Sequence, residues 1–182
     1  MSRGTGIRKS PSKPPHDRTM GKEPKTMTYS SVAVIWKTLH ERFYNMASSL
    51  PEEALGLRIG TASIGYMLRH NAEVEYMFAE WFFRRGLPPG LEILTSRGPA
   101  AGRDRAEFMD REGLLALLRA SNEHVTEAMR ELPEEAWQAA VDSPMGASTP
   151  LEAVSRLLYH TGLHAGQISL IHKHAQPAGQ AT

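Results

Sequence analysis

Thr149-Pro-Leu-Glu152-Ala-Val-Ser-Arg156-Leu-Leu-Tyr-His160-Thr-Gly-Leu-His164-Ala-Gly-Gln167-Ile-Ser-Leu-Ile171 is the stretch whose reading decides the fold. Ser148 or Thr149 can cap a helix, Pro150 suits a first turn because its missing N–H has no helical partner to lose, and Glu152 follows close behind. Apolar residues then recur at helical spacing to about His174, which predicts one long helix. At about 100° per residue, His160 and His164 stand about 40° apart on one face, in line with Leu157, Gln167 and Ile171. A face of that composition points into a core. It also carries two imidazoles one turn apart, which can both reach a single ion. A carbonyl or carboxylate within the fold could satisfy each ring equally well. With eight histidines in 182 residues, one such pair is a weak signal by itself.

Working outward, three more segments carry helical periodicity. The first spans about 30–49, with Val32, Ile35, Trp36, Leu39, Phe43 and Met46 on one side and Pro51 as its stop. The second spans about 63–85 and ends in Arg84, Arg85 and Gly86, which are C-terminal signals. A Pro- and Gly-rich loop covers 86–105. The third helix spans about 111–132, between Asp110 as N-cap and Pro133, and a short helix is expected at 134–141. No stretch alternates well enough to predict a strand, and no repeat is present. Four helices that each carry one apolar face hide those faces best against one another, so the expected fold is all-α, a four-helix bundle over 29–176.

Residues 1–28 read as a flexible basic tail. They hold seven lysines and arginines against Asp17 and Glu23, with four prolines and almost no large apolar residue, too little to order a chain. Met20 and Met27 are both candidate starts, and the helical pattern begins just after Met27. Residues 177–182 are expected to be a flexible C-terminus. The overall charge of +1 therefore sits on an acidic body with a basic arm; such an arm can touch nucleic acid or a membrane surface, but a solvated tail is the plainer reading.

No apolar run approaches the roughly 18 residues a membrane span needs, and no secretory leader is read. There is no cysteine, which excludes disulfides, Cys-ligated zinc and thiol chemistry by the chain itself, and fits a cytoplasmic protein. The absence of any Glu-x-x-His argues against a di-iron carboxylate bundle, and neither a nucleophile elbow nor a phosphate-cradling loop occurs. His40-Glu41 stands one residue short of the zinc-protease motif, whose second histidine is replaced by Tyr44. The aromatic residues form core stripes and are not interleaved with basic residues, so specific nucleic-acid binding is not expected.

The second helix supplies a further histidine. His70 shares its face with Ser63, Tyr66, Met67, Val74, Met77 and Trp81, an inward stripe in which a histidine is either a satisfied core residue or a ligand. Together with His160 and His164 it would complete three imidazoles, a pattern that leaves an ion an open position. Glu73, one turn from His70, could orient its ring or act as a base; a solvated helix glutamate is the plain alternative. Tyr66 and Gln167 could bind a ligand or simply pack. His124, beside Glu123, is expected to be exposed, and His172 and His174 lie off the shared face.

On these residues the chain resembles the DinB/YfiT-like superfamily. The likeness covers about 27–174. Its looser part is Tyr66-Met-Leu-Arg-His70-Asn-Ala-Glu73, and its more specific part is His160-x-x-x-His164-x-Gly166-Gln167-Ile168. The resemblance implies a four-helix bundle, often dimeric, with His70, His160 and His164 holding a divalent ion: nickel, zinc, iron or manganese. It further implies a small-molecule substrate and a likeness to thiol-dependent S-transferases or isomerases; an ion at the three histidines that activates water or a low-molecular-weight thiol would suit an S-transferase or hydrolase. The alternative is a non-catalytic stress-response bundle that binds a metal or a small molecule.

Overall fold

The computed structural model describes Met1, residues 27–96 and residues 108–175. Residues 2–26 of the expected basic tail, the middle of the long loop and the C-terminal segment lie outside the described residues, whereas Met27 and Thr28, read as tail, open the first helix. Helix α1 runs Met27–Ser48, α2 Ile64–Phe82, α3 Arg111–Glu131 and α4 Pro150–His174, with 3-10 turns at Glu52–Gly56 and Glu134–Gln138. Among the described residues no strand forms. Two isolated antiparallel bridges, Arg58 with Ser63 and Val141 with Ser148, close the loops that lead into α2 and α4.

Local chemistry accounts for the helix ends. The Ser63 hydroxyl accepts from the Tyr66 N–H at 3.1 Å, and the Asp110 carboxylate accepts from the Gly113 N–H at 2.9 Å. Thr149 and Glu152 form a reciprocal capping box, with Pro150 in the first turn of α4. Helix α2 stops earlier than its sequence suggests: the chain reverses at Arg84, whose φ is 59°, ahead of Gly86. The segment expected as a short helix over 134–141 closes instead as a 3-10 turn that ends at Gln138, leaving Val141 free to bridge Ser148. The 3-10 turn at Glu52–Gly56 has too few residues to show a period in the sequence.

The core divides into two apolar clusters. One gathers Trp36 from the start of α1, Phe78 and Phe82 from the end of α2, Met129 from the end of α3 and Leu157 from the start of α4. The other gathers Phe43, Leu68, Leu118 and Ile168 from the opposite ends of the same helices. Helices α1 and α4 therefore run one way and α2 and α3 the other. Helix α2 packs against α4, α3 against α1, and α2 and α3 against each other in the most extensive of these pairings. Parallel neighbours cannot be joined by a tight turn, so the chain between α2 and α3 must travel back along the bundle. This is the structural reason for the long connection after residue 82.

The described start of that connection lies on α2. The Glu92 carbonyl accepts from Arg69 at 2.8 Å, and the Tyr66 hydroxyl donates to the Thr95 carbonyl at 2.9 Å. Its end returns over Gly65, where a Cβ would stand 2.0 Å from the Phe108 carbonyl oxygen. Only glycine permits that approach.

Candidate metal centre

His70 projects from α2, and His160 and His164 from successive turns of α4, where the two apolar clusters meet. One ring nitrogen from each of the three lies within 4.8 Å of the others, and all three rings are half-buried. Ring centroids are separated by 5.1 Å for His70–His160, 5.4 Å for His70–His164 and 4.5 Å for His160–His164.

The spacing and chemistry of this set fit a divalent ion. The Nε2 atoms of His160 and His164 stand 3.2 Å apart. Two nitrogens about 2.05 Å from one ion at a tetrahedral angle would be separated by about 3.3 Å. Three imidazoles also suit borderline divalent metals better than calcium or magnesium, which prefer oxygen.

A buried network orients His70. The Glu73 carboxylate has no exposed surface and accepts from Arg69 Nε at 2.5 Å, Leu94 N at 3.0 Å and Thr95 N at 2.8 Å. The Thr95 hydroxyl donates to the same carboxylate at 2.5 Å and lies 3.0 Å from His70 Nδ1. Its single proton is committed to Glu73, so its oxygen is left to accept from Nδ1–H. The network thereby assigns the proton to Nδ1 and leaves the Nε2 lone pair of His70 available to an ion. Ser96 Oγ, 2.9 Å from the same Nδ1, is a second acceptor.

Electrostatics keep the three rings neutral. Burial lowers the pKa of His70 to about 4, with His164 adding to the effect and Glu73 opposing it. Burial, then His164 and His70, lowers His160 to about 3. His164 is lowered by burial too, and the nearby Gln167 amide pulls the other way. Neutral imidazole is the form that binds metals, so near neutral pH all three are competent ligands.

The profile of the DinB superfamily matches residues 35–168. The chain belongs to the DinB superfamily. A DinB-like protein from Bacillus cereus ATCC 10987 has a crystal structure similar to it, with a TM-score of 0.58 at 16% identity, covering 82% of this chain and 95% of that one. At that identity the likeness speaks for the fold alone. Curated proteins offered no match.

Glu73, Gln167 and His124 of this DinB chain sit differently from their sequence reading. Glu73, whose plain reading was a solvated helix glutamate, is sealed in, because the returning loop supplies backbone and hydroxyl donors that no helical pattern announces. Tyr66 stacks on His70 at 6.3 Å while its hydroxyl holds the Thr95 carbonyl. Gln167 is exposed, whereas Leu157 and Ile171 on its stripe are buried. His124 is half-buried against Tyr76, with ring centroids 5.1 Å apart, and is not exposed. Thr95, Ser96 and Arg156 bear on the site and were not singled out in the sequence; for the first two, the only signal was membership of an unusually long loop.

A cavity of about 670 Å³ opens beside His70 and His160. It gives the histidines access to a molecule of modest size.

Proposed function

We propose that this DinB protein is a divalent-metal-dependent enzyme acting on a small molecule, with His70, His160 and His164 as the metal ligands. The observation that carries the reading is the convergence of three neutral imidazoles, one nitrogen of each within 4.8 Å of the others, with His70 and His160 lining a cavity. A structural metal is normally enclosed by four protein ligands, whereas three leave a position for exchangeable chemistry. A divalent ion bound there supplies Lewis acidity, which makes a water or a low-molecular-weight thiol a better nucleophile at neutral pH. Hydrolysis and S-transfer are the reaction types this supports.

The chain's own residues have assignable parts. Thr95 and Ser96 hold the His70 ring through Nδ1, and Glu73 holds Thr95, so we read Glu73 as a positioning residue. Its four donors and complete burial keep it from reaching a substrate proton directly. Gln167, exposed beside His164, and Tyr66, stacked on His70, flank the ligands and can steady them or a bound molecule.

The test is elemental analysis of untagged protein purified without added metal, beside the His160→Ala variant. The expected result is about one divalent ion per chain, lost in the variant while the helical circular-dichroism signal is retained. An ion content that His160→Ala leaves unchanged would overturn the assignment. Stoichiometric metal that raises the melting temperature but supports no turnover on thiol or hydrolytic substrates would favour the non-catalytic reading.

A further inference from the structure

We infer that the cavity beside the histidines binds an organic anion: an apolar, ring-sized body whose carboxylate, or an equivalent oxyanion, pairs with Arg156. As a statement about substrate, this rests on the histidines being the reactive centre; as a statement about binding, it stands on the cavity alone.

The walls decide the apolar part. Met77, Phe78 and Trp81 of α2 face Tyr159 of α4 across the cavity, and Met145 of the preceding loop lines it as well. Its volume of about 670 Å³ is that of a small-molecule site. Aromatic walls favour a flat or ring-containing body, and the two methionines can adapt their shape to it. A sugar or other polyhydroxylated molecule would leave its hydroxyls unpaired against such walls.

Arg156 decides the anionic part. It is a half-buried cation in a mostly apolar lining, with its guanidinium 5.9 Å above the Phe78 ring. One of its nitrogens donates to Ser148 Oγ at 3.0 Å. Among the described residues no carboxylate pairs with it. The rest of its donors are open to an incoming oxyanion, and its planar fork fits a carboxylate with two parallel hydrogen bonds. Arg156 precedes His160 by four residues, so both point from one face of α4, about 6 Å apart along the axis. A bound molecule can thus place its anionic group at Arg156 and a second functional group at the histidines. Ser96 and Ser155 supply the remaining polar contacts of the lining.

The experiment uses two fluorescent probes of similar shape, anionic anilinonaphthalene sulfonate and neutral phenyl-naphthylamine, titrated into the full-length, metal-free protein. Saturable binding of both, one per chain, is expected. Arg156→Met keeps the stem over Phe78 and removes the charge; it should weaken the anionic probe on the order of tenfold and leave the neutral one within about twofold. Arg156→Lys should recover part of the loss, and Met77→Trp, which fills the cavity, should weaken both probes. Ser148→Ala should change neither. Equal weakening of both probes by Arg156→Met, or of neither, overturns the inference; so does a Ser148→Ala variant that reproduces the loss, because Arg156 would then be a loop anchor only. Absence of saturable binding also overturns it. Because the titration is done without metal, its outcome is independent of the metal analysis: probe discrimination without an ion site would sink only the enzyme reading, and an ion site without discrimination only the anion pocket.

Discussion

Thr95 has one hydroxyl proton, which Glu73 accepts, so its oxygen is left to accept from His70, and that asymmetry sets the tautomer of His70. Replacing Thr95 with valine keeps the shape and deletes the link. The expected outcome is a metal affinity reduced about tenfold or more, with Thr95→Ser close to the parent, read by competition against a chromogenic chelator. Unchanged affinity in Thr95→Val would show that His70 needs no such support. A second residue-scale effect lies away from the site. Glu75 is fully buried between Ser121, whose hydroxyl donates to it at 2.6 Å, and Asn71. Burial raises its pKa to about 8 from an ordinary 4.5, with the Ser121 hydrogen bond opposing the shift. The folded chain thus holds a proton there that the unfolded chain gives up, and the associated stability is complete below pH 4.5 and lost as the pH rises through about 8. Glu75→Gln should remove this dependence: between pH 6 and pH 9 the parent should lose at least about 1 kcal/mol more than the variant in urea unfolding. Parallel losses in the two proteins would refute it. Neither Thr95 nor the neutrality of Glu75 was legible in the sequence, because each depends on a partner more than 20 residues away.

At the scale of elements, α4 was the most legible because its signals are local. The cap, the proline and the acidic residue fall within four positions, and the apolar period does the rest. The end of α2 was less so: Arg84, Arg85 and Gly86 all read as terminal, and the reversal falls at Arg84, closed by the Arg85 N–H on the Ala79 carbonyl at 3.0 Å. Gly65 carries the clearest prediction here. In an isolated helix, alanine would be the better residue by about 1 kcal/mol. In this protein a Cβ at that position meets the Phe108 carbonyl. Gly65→Ala is expected to destabilise by about 1–3 kcal/mol in denaturant unfolding, since a backbone atom cannot step aside as a side chain can. A stabilised variant would show that the loop does not approach α2 so closely.

At the scale of the whole molecule, the two apolar clusters are joined through a layer containing the three histidines, Glu73 and Glu75, so the candidate site is also a seam in the core. An ion bound across α2 and α4 binds the folded chain alone and must stabilise it. Free metal at about a hundred times its dissociation constant adds about 2.7 kcal/mol, and chelation should lower the melting temperature accordingly. Protons compete for the same nitrogens. Because burial lowers His70 to about 4 and His160 to about 3, the metal-dependent increment should persist at pH 6 and be lost only as pH falls below 4. Melting curves with and without a chelator across that range test this; an increment of zero at neutral pH would count against the site.

The sequence by itself determined the all-α class, the number of long helices, most of their boundaries and the histidine-bearing faces, because helical periodicity and capping are properties of neighbours within four positions. His70, His160 and His164 were legible as candidates for the same reason. What only the tertiary structure decided was the direction in which the helices run, the return of the connecting loop over α2, the burial of Glu73 behind Thr95, and the pairing of Arg156 with an apolar cavity. Each is a contact between segments far apart in the chain, and such contacts follow from how whole faces fit together, which no local spacing encodes.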